Sequence, residues 1–250
     1  MLANVRIVLV RTFHPGNIGS AARSMKTMGL SDLCLVSPKQ FPSAEANKMA
    51  AGAEDMLKSV RITNNLPDAI ADCTAVVAST ARIRGYDLPE LSPEETAEIL
   101  IENAKRGPAA LIFGPERMGL HNDDIRHAKY RVTIPANPDY NSLNMAAAVQ
   151  TLSYEIYKAS ITNNGAGGKN PTRSCAERDG TVRELPSSAD VERLYEHIER
   201  VLKDINFLRP HQGETMQRIR HLITRAEPDT LELNILRGIL SSIDKKSRQS

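Results

Sequence analysis

Apolar positions along the first 160 residues switch repeatedly between two patterns. Short runs rich in Val, Ile and Leu occupy residues 5–10, 33–36, 74–79, 111–113 and 130–134, with a weaker one near 60–62. Between them lie stretches with helical spacing, at residues 17–28, 43–58, 66–71, 93–105 and 122–128. The strand segments are continuous apolar runs rather than alternating ones, as expected of strands covered on both faces. Strands that alternate with helices predict parallel pairing in an α/β sheet. Two helix starts are signalled. Ser92-Pro93-Glu94-Glu95 supplies an N-cap, a proline for the first turn and two carboxylates that favour the positive end of the dipole, and Asn122-Asp123-Asp124 reads the same way.

A longer apolar helix is predicted over residues 144–159, carried by Met145, Ala146, Ala148, Val149, Leu152 and Ile156. The character then changes. Residues 162–188 contain Asn163-Asn164-Gly165-Ala166-Gly167-Gly168, two prolines and few large apolar side chains, the composition of a flexible linker. Helical periodicity returns at 189–208, 213–226 and 228–246. The organisation predicted is an α/β domain over 1–161, a linker over 162–188 and a small all-helical extension over 189–250.

Composition narrows the class without naming a function. The 250 residues are 41% hydrophobic and 25% charged, the ordinary globular range, and allow one large domain or two small ones. No apolar run approaches the roughly 18–20 residues that cross a bilayer. The first residues lack the long apolar stretch of a signal peptide. Cys34, Cys73 and Cys175 are odd in number, widely spaced and without a CxxC, which argues against a disulfide scaffold or cysteine zinc site and predicts a cytoplasmic protein. The net charge is only +2, and residues 1–160 balance 17 basic against 17 acidic side chains. A nucleic-acid partner would therefore have to be met by local clusters rather than by one basic surface.

In an open parallel sheet, ligands bind beyond the C-terminal ends of the strands, and three clusters punctuated by glycine or proline lie there. After the first strand comes Thr12-Phe13-His14-Pro15-Gly16-Asn17-Ile18-Gly19-Ser20-Ala21-Ala22-Arg23. Its glycines and small residues suit either a helix N-terminus that cradles a phosphate or a tightly packed first helix. After residues 111–113 comes Gly114-Pro115-Glu116-Arg117-Met118-Gly119-Leu120, an irregular loop with a carboxylate inside it. After the last strand comes Ile134-Pro135-Ala136-Asn137-Pro138-Asp139-Tyr140-Asn141-Ser142-Leu143-Asn144, in which Ser142 would serve as a helix N-cap with or without a ligand contact. Neither GxGxxG nor GxxxxGK[ST] is present, which disfavours a dinucleotide or triphosphate enzyme.

Taken together and in this order and spacing, the three clusters resemble the three motifs of the SPOUT-class RNA 2′-O-ribose methyltransferases. The resemblance covers about residues 1–160. The tail, including Glu232-Leu233-Asn234-Ile235-Leu236-Arg237-Gly238, is similar to that of one bacterial subfamily, the TrmJ type, which methylates the ribose of nucleotide 32 (cytidine or uridine) in the tRNA anticodon loop. The resemblance implies a mostly parallel α/β sheet whose C-terminal part forms a trefoil knot, S-adenosylmethionine as cofactor with no metal, tRNA as partner, a homodimer and no membrane. It places the cofactor against Ser79, Thr80, Ala81, Gly114, Ile134, Asn141, Ser142 and Leu143, with Leu120 completing an apolar wall. It places catalysis on Arg23, with Asn17, Glu116, Ser142 and Asn144 orienting it and the ribose. Arg82 and Arg84 would meet the RNA, as would Arg218 and Arg225 on one face of the tail, while His14 stands beside the first motif. A charged guanidinium has no acceptor, so Arg23 is expected to hold a phosphate and stabilise developing charge rather than to remove a proton. Two alternatives stay open on the residues: another RNA ribose 2′-O-methyltransferase of the same class, and a non-catalytic RNA-binding module.

Overall fold

The computed structural model describes residues 1–80, 88–164, 184–208 and 213–247. They fall in two compact units, Met1–Lys169 and Asn170–Ser250. Of the expected linker, residues 165–183 lie outside the described residues, as does Cys175.

In the first unit a 3-10 turn at Leu2–Asn4 leads into strand β1 (Val5–Val10), helix α1 (Pro15–Thr27), β2 (Asp32–Val36), α2 (Ala44–Ala50), α3 (Glu54–Lys58), β3 (Arg61–Thr63), α4 (Leu66–Ile70) and β4 (Ala75–Ser79). There follow β5 (Glu90–Leu91), α5 (Pro93–Asn103), β6 (Ala109–Phe113), α6 (Asn122–Ile125), β7 (Tyr130–Val132) and α7 (Met145–Asn164). Among the described residues the sheet has seven strands in the order β3-β2-β1-β6-β4-β7-β5, and every pairing is parallel. Both faces are covered. Val5, Ile7 and Leu9 join α1, α2, α3, α5 and α7 in one core, while Val8 and Val10 join Leu66 and Ile70 of α4 and Ile125 of α6 in the other. This is why the central strands are mostly apolar on both faces, with Arg6 of β1 the exception.

Three elements depart from the expected pattern. The helix read over 43–58 is two helices, because Ala51 and Gly52 both take positive φ (39° and 93°) and end α2. The edge strand β5 is two residues long and carries no apolar run to announce it. Helix α6 stops at Ile125, and its N-cap is His121 rather than Asn122. By contrast Ser92 forms a full capping box with Glu95, with Pro93 inside the first turn as expected.

One charge lies in the second core. Arg6, only 5% exposed, donates to Asp32 (2.8 Å), to both oxygens of Asp72 (2.5 and 3.0 Å) and to the carbonyl of Ala69 (2.9 Å). Burial opposes its charge, but these carboxylates hold its pKa above the ordinary value. Burial also pushes the neighbouring Cys73 thiol up to about 12, so it is inert as a thiolate.

The second unit contains α8 (Ser188–Asp204), α9 (Gly213–Ala226) and α10 (Thr230–Ser247). They close over a small core of Leu194, Tyr195, Ile223 and Leu233. Arg220 ties α9 to α8 by a bidentate pair with Glu192 (2.9 and 2.7 Å) and by stacking 4.3 Å from the Tyr195 ring.

Gly19 decides between the two readings of the first motif. It faces α2, not a ligand: a Cβ built there would stand 2.0 Å from the Ala46 carbonyl oxygen and 2.9 Å from the Ala50 nitrogen. The absent side chain lets α1 and α2 touch backbone to backbone. Gly19→Ala must push the helices apart and is predicted to cost about 2–3 kcal/mol, within the range for overpacking. Gly16→Ala, whose nearest obstacle is the flexible end of Glu45 at 3.1 Å, should cost less than about 1 kcal/mol. Urea denaturation of both variants checks the difference.

Candidate functional site

The site begins at the crevice between β1 and β6. These strands are neighbours, but β1 connects through α1 toward β2 on one side, while β6 connects toward β7 on the other. The loops that leave them therefore diverge and open a crevice at the C-terminal edge of the sheet.

Glu116 bridges that crevice. It lies in the loop after β6, and its carboxylate accepts the backbone N–H groups of Phe13 (3.0 Å) and His14 (3.1 Å) and the Asn17 side-chain amide (2.8 Å) from the segment after β1. The Asn17 carbonyl oxygen in turn accepts the side-chain N–H of Asn144 at 3.1 Å. The Oδ1 of Asn144 accepts the N–H groups of Ala146 (2.8 Å) and Ala147 (3.4 Å), capping α7. One chain of hydrogen bonds thus joins the loops after β1, β6 and β7. Burial alone would raise the pKa of Glu116, but the donors from Phe13, Asn17 and His14 outweigh it and hold the carboxyl below its ordinary value.

The loop that carries Glu116 is closed by sequence as well. A Cβ on Gly114 would stand 2.2 Å from the nitrogen of Leu120, and Gly119 takes a φ of 66°. At its far end Asp124, buried at 4% exposure, pairs with Arg11 and accepts the N–H of His121 at 2.8 Å. The loop after β6 is thereby held to the end of β1 at two points, Glu116 and Asp124.

The expected cofactor residues lie along the same edge. In the register of the sheet, Ser79 sits opposite Phe113 on one side and Val132 on the other. Thr80, Gly114 and the segment Thr133–Ile134 are therefore the first residues past three adjacent strands. The Thr80 N–H donates to Val132 (3.0 Å), and its carbonyl accepts the Thr133 hydroxyl (3.1 Å). Ile134 is half-buried against the main core. Leu120 is fully buried in the second core instead of lining a wall, whereas Leu143 is 38% exposed. Asn141 and Ser142 are exposed. Ala81, Arg82 and Arg84 lie outside the described residues.

Of the residues expected to act in catalysis, Asn17, Glu116 and Asn144 are brought together. Arg23 is exposed on α1 and Ser142 is exposed before α7, and neither is hydrogen-bonded to the other three. Ser142 is not the cap of α7; Asn144 is, because the helix starts at Met145 and the Asn144 side chain accepts the N–H groups of its second and third residues, Ala146 and Ala147. His14 is exposed, and its backbone rather than its ring engages Glu116. Arg218 and Arg225 are exposed on α9, opposite the buried Ile223. The backbone donors of Phe13 and His14 and the Arg11–Asp124 pair were not foreseen. A backbone N–H leaves no mark in a sequence, and the ion pair spans more than a hundred residues.

Residues 4–154, more than half of the chain, match the family model described as the SpoU rRNA Methylase family. The chain belongs to the SpoU methylase family. Its residues 189–250 match the model for the TrmJ C-terminal domain of tRNA methyltransferases. A relative from Pectobacterium atrosepticum, named tRNA (cytidine/uridine-2′-O-)-methyltransferase TrmJ, is 46% identical over 98% of both chains. One of the same name from Photorhabdus laumondii is 43% identical over the full length of both. The crystal structure of TrmJ from Z. mobilis ZM4 superimposes with a TM-score of 0.80 at 32% identity, covering 96% of this chain and 98% of that one. The parallel α/β architecture implied by the motifs is therefore that of the SpoU methylases.

Glu116 gives the crevice its acid dependence. Since its pKa is lowered on folding, its contribution is complete above the ordinary carboxylate value and is lost as pH falls through the lowered one. Glu116→Ala strands the donors of Phe13, His14 and Asn17 and should cost about 1–3 kcal/mol at neutral pH. Glu116→Gln should remove the part of the stability decline between pH 7 and about pH 3 that the wild type owes to this group. Urea midpoints across that range check both.

Proposed function

We propose that this protein transfers a methyl group from S-adenosylmethionine to the ribose 2′-oxygen of nucleotide 32, cytidine or uridine, in the anticodon loop of tRNA. The observation that carries the reading is the joining of the three motif loops by Glu116, Asn17 and Asn144, in a chain that matches tRNA 2′-O-methyltransferases over nearly its whole length. The proposal places residues 1–161 as the catalytic domain and 189–250 as a helical extension that binds tRNA through Arg218 and Arg225. The trefoil knot of the class belongs to it as well. Its support is that β7 lies beyond β4, while the following α7 returns to pack on α1 and α5.

The edge formed by Ser79, Thr80, Gly114 and Ile134 suits an adenosine moiety. It sets the ends of three adjacent strands beside one half-buried apolar side chain, Ile134, while Gly114 lets the Glu116 loop close tightly on Leu120 next to them. The cofactor, when bound, supplies a methyl group on a sulfonium centre that leaves readily as a thioether. What remains for the protein is to align the 2′-oxygen and handle its proton. Glu116 is a poor base: three N–H groups occupy its oxygens and its pKa is lowered. It positions Asn17, and through Asn17 the start of α7, where Asn141, Ser142 and Leu143 lead into the helix. Arg23, exposed two turns along α1, holds a phosphate next to the target ribose and stabilises the charge that develops on the oxygen.

Two further parts of the reading concern assembly and place. Tyr154, Tyr157 and Ile161 form an outward apolar stripe on α7 (49%, 39% and 52% exposed), which supports a homodimer built on this helix. Among the described residues no helix is long and apolar enough to cross a membrane, and an enzyme acting on tRNA would work in the cytoplasm.

The test is methylation of tRNA transcripts with labelled S-adenosylmethionine, followed by mapping of 2′-O-methyl positions. Label at the ribose of nucleotide 32 is expected; label on a base, at another nucleotide, or none with every tRNA tried would overturn the assignment. In the same assay Arg23→Ala should lower the single-turnover rate by about 100-fold, the loss typical of a transition-state charge contact. An unchanged rate together with unchanged tRNA affinity would remove Arg23 from the mechanism.

A further inference from the structure

Beside the Glu116 bridge stands an aromatic ring that the mechanism does not use. Phe13 is 51% exposed, although the backbone around it is among the most constrained on this edge. Its own N–H is held by Glu116 at 3.0 Å. The preceding Thr12 is buried, and its carbonyl accepts the N–H of Lys39 at 3.0 Å. The following His14 is held by the same carboxylate. The ring is thus turned outward from a fixed backbone. The ammonium of Lys39, itself exposed, lies 5.9 Å from the ring centroid.

An exposed aromatic ring on a fixed backbone, with a cation over one face, has the chemistry of a platform on whose opposite face a nucleobase can stack. Every base presents a π-face, stacking on an aromatic side chain is tolerant of sequence, and the neighbouring phosphate calls for a cation. The mounting matters because a segment whose backbone is already fixed has only the ring's two torsions left to order on binding. A partner protein would fit less well, since a single ring with a lysine is far smaller than an apolar patch that holds a protein.

We infer that Phe13 is a stacking platform for an unpaired base of the substrate RNA, close to the ribose that is modified, and that Lys39 meets a phosphate of the same strand. This inference rests on the proposed RNA substrate and adds to it a residue that reads the single-stranded character of the target. A base can reach the ring face only when it is unstacked, so a loop nucleotide is favoured over one in a duplex.

The experiment measures tRNA dissociation constants of the full-length protein and its Phe13→Ala, Phe13→Leu, Phe13→Tyr and Lys39→Ala variants, with methylation by the wild type as the reference. Phe13→Ala and Phe13→Leu should weaken binding by roughly 5- to 150-fold, the range for loss of one stacked base, while Phe13→Tyr stays within about threefold of the wild type. Lys39→Ala should lower the slope of log affinity against log salt by about one. The stabilisation of each variant by S-adenosylhomocysteine, read as a thermal shift, separates a lost platform from a lost fold and should match the wild type. Wild-type methylation combined with Phe13→Leu binding within twofold of the wild type would overturn the platform. So would loss of the S-adenosylhomocysteine shift in Phe13→Leu, since the ring would then be structural. No methylation of any tRNA by the wild type would instead overturn the function on which the platform rests.

Discussion

The site depends on one carboxylate. Where β1 and β6 lie side by side and their connections part, the backbone is pulled two ways and the crevice between the loops has no intrinsic reason to hold a shape. Glu116 supplies it by accepting two backbone N–H groups and one side-chain amide from the opposite loop. Charge-assisted bonds of this kind are about twice as strong as neutral ones. Their number explains why the carboxyl stays ionised despite its partial burial.

The rest of the edge follows from that bridge. Once Asn17 is fixed by Glu116, its carbonyl can hold Asn144, and Asn144 can satisfy the first N–H groups of α7. The apolar face of α7 (Val149, Leu152, Ile156) then anchors this arrangement in the main core. The Arg11–Asp124 pair pins the other end of the Glu116 loop, and Gly114 and Gly119 allow the loop its sharp closure. A local polar network is in this way tied to two large apolar cores, so the loops hold their relative positions without metal or disulfide among the described residues. Arg23, Ser142 and Phe13 stay exposed beside this network.

Much of the architecture was legible because both faces of the sheet are covered. The segments at 5–10, 111–113 and 130–134 are dominated by apolar residues, broken only by Arg6, Arg131 and Thr133, and no turn chemistry competes with them. The N-cap at Ser92 was legible for a similar reason, since its signals are local, and the structure adds the reciprocal bond from Glu95. What escaped was non-local or nearly featureless. The break at Ala51–Gly52 depends on a left-handed alanine that propensity does not foretell, and β5 is held by pairing with β7 rather than by its own composition. At the site, the family resemblance implied a shared task for Asn17, Glu116, Ser142, Asn144 and Arg23; the structure joins Asn17, Glu116 and Asn144, and the order of their contacts was not legible. Ser142 looked like the helix cap because it is a good one, but the helix begins at Met145, so the role falls to Asn144, whose Nδ2 is left to reach Asn17. Gly19 suited either a ligand cradle or close helix packing, and it lies against the backbone of α2.

The central claim is that the three loops form one unit through Glu116, Asn17 and Asn144. A double-mutant cycle on single-turnover tRNA methylation, with Glu116→Gln, Asn144→Ala and the pair, tests it most directly, because these two residues touch only through Asn17. If the unit is real, the double variant should be barely slower than the worse single one, as for residues that act through one network. Losses that simply multiply would show that the two residues act independently and would contradict the claim.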